Sequence, residues 1–471
     1  MVEPTDACPV CKSPNIGYEF RTLKQTLLRC VDCDLLFVPQ LDWAPAGRSV
    51  VESRAQSDED SDPITIEHRV EKYLGKLKAR GAKSDSRFWV AGKNVRHFID
   101  YAQADGFTSI DDSLDQVKDN SIDACVLLAN LGESSCPLEQ LLLIRKALKP
   151  GAILLVTVPT LDSDEARRQK SRWDQFKAGR VTYFDRHGLA TLLVRAGYGQ
   201  ITMCSEAEGV VVVCCKETLE NVRPLLSIVL PVYNERATFE QLIQSVLKKK
   251  LGTVNREIII VESNSTDGSR ELVQQYENQP GVKVIYENEP RGKGHAVRNG
   301  LNHASGSIIL IQDADLEYDV DDYDAVIEPI VTFRRLFVLG SRHKGSWKMR
   351  EFEERKMLSV VFNSGQLFFT WLINVACGTR LKDPFTMYKV FHRECLYGLQ
   401  LESNRFDLDW EIVIKFIRKG LIPLEIPVNY WSRSFGEGKK VRPFLDPMLW
   451  IIALLKFRYG KLYHSATSRK A

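Results

Sequence analysis

The sequence predicts an α/β protein in three parts: a small ribbon held by cysteines, a Rossmann-type α/β domain, and a larger doubly wound α/β domain. Three observations predict it. Four cysteines near the start fall in two Cys-x-x-Cys pairs. From Arg87, short runs of Val, Ile and Leu alternate with stretches of helical period. From Leu225 the alternation resumes, now with a polar motif at the end of each strand-like run.

Composition places the boundaries. The ribbon takes residues 1–43, and 44–66 has linker composition, including the run Ser57-Asp-Glu-Asp-Ser-Asp62. The two α/β domains occupy 67–215 and 225–445, joined through 216–224, and a basic tail fills 446–471. A net charge of +3 over 471 residues gives no reason to expect nucleic acid; the basic surplus is local, with nine Lys/Arg against Glu437 and Asp446 from Arg433 onward. No run of 18 residues lacks polar groups, and Leu358–Cys377 is interrupted by Asn363, Gln366 and Asn374, so no membrane span is expected. Eleven cysteines, an odd number, fit a reducing cytoplasm better than a disulfide framework.

Cys8, Cys11, Cys30 and Cys33 form a C-x₂-C-x₁₈-C-x₂-C pattern, with strand-like Ile16–Arg21 and Gln25–Arg29 between the pairs. Two tight turns of this kind present four thiolates tetrahedrally to Zn²⁺, and four sulfur ligands leave no position for substrate, so the zinc is expected to be structural. Lys12, Arg21, Lys24 and Arg29 with Tyr18 and Phe20 are too few for a nucleic-acid surface.

In the second domain, a helix is expected over Ile66–Arg80, strands over Phe88–Ala91, Ala124–Leu128 and Ala152–Val158, and helices over Val95–Ala102 and Leu138–Leu148. Asn120-Ser-Ile-Asp-Ala-Cys-Val-Leu127, Ala147-Leu-Lys-Pro-Gly through Pro159, and Tyr183-Phe-Asp-Arg-His-Gly through Tyr198 resemble class I S-adenosylmethionine-dependent methyltransferases. The likeness lapses where the cofactor should sit. The turn Val90-Ala-Gly-Lys-Asn94 has one glycine, the second and third strands are compressed into Gly106–Gln116, and only Asp111 or Asp112 could serve as the ribose-binding acid. A methyltransferase-like fold without S-adenosylmethionine is expected, which makes residues 1–215 a binding or assembly module; a bifunctional enzyme is the alternative.

The third domain turns on Ser307-Ile-Ile-Leu-Ile-Gln-Asp-Ala-Asp-Leu-Glu-Tyr-Asp319. Ile308–Ile311 reads as a strand buried on both faces, and Asp313 and Asp315 follow at its carboxyl end, where α/β sheets collect ligands. Two carboxylates there suit Mg²⁺ or Mn²⁺ on a nucleotide diphosphate. A solvated acidic turn is the alternative on this stretch alone. The elements before it are strand Leu225 onward, helix Thr238–Lys250, strand Glu257–Val261, helix Ser269–Asn278, strand Val282–Tyr286 and helix Gly294–His303. They predict a parallel sheet whose rim carries Asn234-Glu235, Glu262–Gly268, Arg291–Gly294 and Asp313–Asp315, a nucleotide crevice rather than independent loops.

Seven motifs in order resemble family 2 glycosyltransferases of GT-A fold, near the dolichyl-phosphate mannose synthase group. They are Pro231–Glu235, Asn264–Gly268, Arg291–Gly300, Asp313–Asp319, Asp383–Lys389, Phe406–Glu411 and Arg433–Lys440. The resemblance implies an inverting, metal-dependent transfer of sugar from a nucleotide-diphosphate donor. Pro231, Tyr233, Glu235 and Glu262 would line the base and ribose pocket, and Asp267 would cap the next helix. Arg291 and Lys293 would face the diphosphate on a loop made pliable by two glycines, with the metal on Asp313 and Asp315. Glu262-Ser-Asn-Ser replaces the Asp-Asp-Gly-Ser of many members, which leaves UDP against GDP open.

A polyprenyl-phosphate acceptor would bring its own nucleophilic anion, gripped by Arg433, Lys439, Lys440 and Arg442 while Asp409 and Glu411 orient it. For a saccharide hydroxyl in surface-polysaccharide synthesis, Asp409 or Glu411 would become the base. Met357–Cys377 and Leu445–Tyr463, the latter with Lys456, Arg458 and Lys461, have the composition of interfacial helices; packing on the sheet is the alternative. The protein is therefore expected on the cytoplasmic face of a membrane, as a peripheral enzyme.

Overall fold

The computed structural model describes residues 7–22, 25–39, 63–177, 179–206, 209–217, 223–343, 356–431 and 445–462. The chain divides into two compact units, Met1–Glu220 and Asn221–Ala471.

The first unit holds two sheets. Strands β1 (Ile16–Arg21), β2 (Thr26–Cys30) and β3 (Leu36–Phe37) form an antiparallel ribbon. Helix α1 (Pro63–Lys78), β4 (Arg87–Gly92), α2 (Val95–Ala104), β5 (Thr108–Ser109), β6 (Ile122–Leu128), α3 (Pro137–Ala147), β7 (Leu148–Pro159) and α4 (Asp164–Gln169) follow. Strand β8 (Thr182–Tyr183) then returns to the ribbon, pairing with β3 to give the order β1-β2-β3-β8. Trp173, Phe176 and Tyr183 bury against Leu27, Leu36 and Val38, so the ribbon shares its core with the chain near residue 180. Helix α5 (Arg186–Arg195), β9 (Tyr198–Ser205) and β10 (Gly209–Lys216) close a second sheet of order β5-β4-β6-β7-β10-β9, with β10 antiparallel to both neighbours.

The stretch Gly106–Gln116 supplies only the two-residue β5, one strand fewer than the methyltransferase resemblance implies. The turn after β4 is drawn onto the end of β6. Gly92 has φ +116, a Cβ there would stand 1.9 Å from the Leu128 carbonyl oxygen, and the Lys93 amide donates to that oxygen at 3.0 Å.

The second unit is built on one sheet. Its strands are β11 (Leu225–Val232), β12 (Asn255–Glu262), β13 (Val282–Tyr286), β14 (Ile308–Ile311), β15 (Phe337–Ser341), β16 (Lys389–His392) and β17 (Leu424–Pro427), in the order β13-β12-β11-β14-β16-β15-β17. Helices α6 (Phe239–Lys248), α7 (Ser269–Gln274), α8 (Lys293–His303) and α9 (Tyr323–Val331) form the first crossovers; α10 (Lys356–Cys377), α11 (Leu408–Arg418) and α12 (Leu445–Tyr459) come later. The sheet is parallel from β13 to β14 and then departs from expectation, because β16 enters antiparallel between β14 and β15. This places residue 389 directly beside Ile311, two residues before Asp313.

Helix α8 lies against β11 and β12 at a glycine. A Cβ at Gly300 would stand 2.5 Å from Val229 Cγ1 and 3.2 Å from Val261 Cγ2, both in the centre of the sheet. Alanine would gain about 1 kcal/mol of helix propensity, and overpacking against two β-branched strand residues costs about 1–3 kcal/mol. Gly300→Ala is therefore expected to lower the melting temperature of the second unit, and an unchanged or higher transition in calorimetry would contradict the close packing.

Candidate active site

Strands β11, β12 and β14 end side by side, and side chain to main chain bonds fix their loops. Asn234, with φ 50, donates its amide to Ser265 Oγ at 3.0 Å and accepts from the Thr266 amide at 2.8 Å. Asp267 accepts from the Arg236 and Ser269 amides, each at 3.0 Å, so it ties the two loops together and starts the turn into α7. Pro231 is half-buried, Tyr233 exposed and Glu235 half-buried beside Thr238, whose hydroxyl donates to the Ala314 carbonyl at 2.7 Å. Glu262 departs from the pocket-lining expectation. It is fully buried, accepting from the Asn264 and Ser265 amides and from Arg270, whose guanidinium lies 4.8 Å from the Tyr286 ring centroid. Its charge organises the loop from behind, and Arg270 and Tyr286 are what it leaves at the rim.

Asp313 and Asp315 follow Gln312, which is buried and accepts from the Tyr323 hydroxyl at 3.2 Å. Leu316 takes φ 58, and this left-handed turn lets the Glu317 amide donate back to Asp315 Oδ1 at 3.2 Å. Glu317 in turn accepts from the Tyr430 hydroxyl at 2.9 Å. Lys293, the first residue of α8, sits 2.5 Å from Asp313 Oδ1. Burial opposes its charge, but Asp313, Asp409 and Asp315 together outweigh that and raise its pKa. Arg291 lies apart, exposed and paired with Glu289 at 2.9 Å.

The glycines beside Lys293 also have a packing role, which the sequence did not show. A Cβ at Gly292 would stand 2.5 Å from the Asn404 carbonyl oxygen, and one at Gly294 2.7 Å from those of Ser403 and Arg405. The glycines admit a main chain at close range, and Arg298 fastens the contact through the Ser403 and Leu401 carbonyls, both at 3.1 Å.

Asp409 and Glu411 open α11, and both are buried. Asp409 Oδ1 meets the Lys389 ammonium at 2.6 Å; burial pushes the carboxyl up and Lys389 down, while each charge opposes the shift of the other. Glu411 is fully buried and holds Lys415 at 2.6 Å and the Glu402 and Ser403 amides at 2.8–3.0 Å. Its role as a base or acceptor-orienting group is therefore corrected to a structural one: it fixes the segment on which Gly292 and Gly294 pack. Lys389 closes the motif Asp383–Lys389, and the sequence assigns it no role of its own. Arg433, Lys439, Lys440 and Arg442 lie outside the described residues.

On the other side of the sheet end, Arg342 grips fully buried Asp383 through Nε at 2.8 Å and Nη2 at 2.7 Å, and Gln366 of α10 adds a bond at 3.0 Å. Helix α10 is turned inside out. Asn363, Gln366 and Thr370 face inward, whereas Leu367, Phe368, Trp371 and Val375 are exposed. Met448, Ile451, Ile452, Leu455 and Tyr459 of α12 are exposed too, and Phe369 packs edge-on to Trp450 at 5.2 Å. Two cations expected to meet lipid headgroups have protein partners: Lys456 with Glu402 at 2.6 Å, and Arg458 with the Ala376 carbonyl at 2.6 Å. No helix among the described residues is long and apolar enough to cross a membrane.

In the first unit, the four cysteine Sγ atoms lie within 4.8 Å of one another, with Cys8–Cys33 at 3.5 Å and Cys11–Cys30 at 3.4 Å. A disulfide requires about 2.0 Å. Sulfurs around one Zn²⁺ at about 2.3 Å stand about 3.8 Å apart, which this cluster fits.

Residues 227–396 match the model of glycosyl transferase family 2. The chain is 28% identical over 235 residues to the dolichol-phosphate mannosyltransferase of Pyrococcus furiosus, covering 49% of this chain and 64% of that protein. It is also 28% identical over 262 residues to the dolichyl-phosphate beta-glucosyltransferase of Dictyostelium discoideum, covering 51% and 78%. Among solved structures, glucosyl-3-phosphoglycerate synthase from Mycobacterium tuberculosis aligns over 50% of this chain and 81% of its own, with 20% identity and a TM-score of 0.38.

The Asp383 pair yields a stability prediction. Burial raises this carboxyl, the Arg342 contacts outweigh burial, and its folded pKa is lowered. The stabilisation is then complete above the unfolded carboxyl value of about 3.9 and disappears as pH falls through the lower folded value. Asp383→Asn leaves a buried guanidinium uncompensated and is expected to cost about 3–5 kcal/mol at neutral pH. Urea unfolding from pH 3 to 7 checks it: a variant within about 1 kcal/mol of the parent would show that the pair contributes little.

Proposed function

We propose that the protein is an inverting glycosyltransferase that moves a sugar from a nucleotide-diphosphate donor to a polyprenyl-phosphate carrier at a membrane surface. The observation that carries it is the constellation of Asp313, Asp315 and Lys293 at the end of β14, inside the segment that matches the family 2 model. Two carboxylates suit a Mg²⁺ or Mn²⁺ ion, which takes its other ligands from water and diphosphate. That cation would neutralise charge developing on the leaving diphosphate. Tyr233, Pro231 and Glu235 border the space for base and ribose, and Lys293 and Arg291 are the cations available to the phosphates.

Two features support a phosphate acceptor. Asp409 is paired with Lys389, and Glu411 is spent on Lys415 and two amides, so neither is poised to take a proton from a hydroxyl. An anionic acceptor needs no such base. The outward apolar faces of α10 and α12 favour contact with lipid, and the Pyrococcus and Dictyostelium relatives are named for dolichyl phosphate. Arg433, Lys439, Lys440 and Arg442 are proposed to clamp the acceptor phosphate.

We further propose that the first unit is a structural-zinc assembly module with a methyltransferase-like fold. The single glycine of its Val90–Asn94 turn and the two-residue β5 speak against S-adenosylmethionine.

With each candidate donor, released nucleotide should depend on Mg²⁺ or Mn²⁺ and fall at least about a hundredfold in Asp315→Ala. Radiolabelled sugar should appear in polyprenyl phosphate and not in soluble saccharides; efficient transfer to saccharide hydroxyls alone would overturn the acceptor assignment. Metal analysis of the full chain, purified without chelator, should find one zinc per molecule. Cys30→Ser should lose it and destabilise the first unit while donor turnover persists, and zinc-free parent protein would refute the site.

A further inference from the structure

We infer that Arg270 reads the nucleobase of the donor, by donating hydrogen bonds to a ring carbonyl oxygen. This deepens the donor-site reading above and rests on it. In that reading the base lies against the ends of β11 and β12, where Pro231 and Val232 stand opposite Val261 and Glu262 in the sheet, and where Asn234 bonds the two loops together. On its other side Glu262 is paired in register with Tyr286, the last residue of β13. Arg270 closes that corner. Its Nη1 donates to Glu262 Oε2 at 3.0 Å and to Asn264 Oδ1 at 3.2 Å, and its guanidinium carbon lies 4.8 Å from the centre of the Tyr286 ring.

Two observations make this arginine more than a counter-ion. Its side chain keeps 31% of its surface exposed while that of Glu262 keeps none, so the ion pair has one face in the protein and one toward solvent. Among the described residues, its Nε and Nη2 have no hydrogen-bond partner. Two neighbouring donors are thus left in one plane, which is steadied by the acid at one edge and the tyrosine ring on one face.

A guanidinium can only donate. It suits O4 of uracil or O6 of guanine, the latter with N7 as a second acceptor for the same fork. Cytosine and adenine carry an amino group at those positions, which would set donors against donors. Glu262, Glu287 and Asp267, at the ends of β12 and β13 and in the turn into α7, each have both carboxylate oxygens engaged within the protein, and they offer such a group no acceptor. Arg270 therefore selects a base with an oxo group on this edge, uracil or guanine, over its amino counterpart.

The test titrates nucleoside diphosphates into the full chain with Mg²⁺ by calorimetry, UDP against CDP and GDP against ADP. The tighter of UDP and GDP is expected to exceed its amino counterpart by at least about tenfold, the scale of one hydrogen bond from a charged donor, and which of the two it is names the base. Arg270→Met together with Glu262→Gln removes the pair without stranding a buried charge, and should bring that ratio to within about twofold. Arg270→Lys keeps a cation beside Glu262 but loses the planar fork. It should lower the ratio severalfold, and it decides the matter if the double variant does not fold. An arginine that only held the loop in shape would, on removal, weaken all four nucleotides alike and leave the ratios standing, which overturns the inference. A parent ratio within about twofold overturns it too, with the donor site intact. If no nucleotide binds the parent with either Mg²⁺ or Mn²⁺, the donor site itself is refuted, and the base reading with it.

Discussion

Two carboxylates at the mouth of a buried strand need a cation, and much of the second unit serves that need. Asp313 and Asp315 stand two residues apart where β14 leaves the sheet, and the protein supplies Lys293 from the start of α8. For that lysine to arrive, α8 must lie closer to β11 than any side chain at position 300 allows, and its first turn must touch the main chain at 403–405. That segment is held in turn by the buried Glu411 carboxylate, and α11 brings Asp409 to Lys389, which lies opposite Ile311 in the sheet. Residues that look like separate motifs in the chain are one electrostatic and steric assembly.

Much of this was legible in the sequence, for identifiable reasons. Strand Val282–Tyr286, the β14 run and the polar strand ends follow from apolar runs broken by turn residues, which is local information. The direction of β16 is not local: it depends on a connection through α10 and on pairing with a strand some 80 residues earlier, as Ile311 beside Lys389 shows. The packing of the glycines is non-local for the same cause. Gly292 and Gly294 look permissive until residues 403–405 are placed on them. The settings of Glu411 and Lys389 are non-local too: both are fully buried, Glu411 against Lys415 and two amides and Lys389 against Asp409, which the motifs that hold them do not show.

Burial also separates the two ion-pair types in this unit. Arg291–Glu289 is exposed, and such a pair contributes at most about 1 kcal/mol, which leaves Arg291 free to change partner. Arg342–Asp383 and Lys389–Asp409 are desolvated, and their value lies in the geometry they impose on the neighbouring strand ends rather than in net stability. The reversed polarity of α10 belongs to the same logic: its amide and hydroxyl side chains serve this polar interior, one of them on Asp383, and its apolar residues are left for whatever surrounds the outer face.

The pairing of β3 with β8 has a consequence for how the chain is made. The ribbon leaves the ribosome well before Thr182 and Tyr183, which give its sheet the fourth strand, and Gln25 bonds to the Tyr183 hydroxyl across 158 positions. During that interval the β3 edge and the apolar surface of Leu27, Leu36 and Val38 are uncovered on a nascent chain. Metal capture by the cysteines, which needs only the first 33 residues, would give the early ribbon a closed local structure through that exposed period of synthesis.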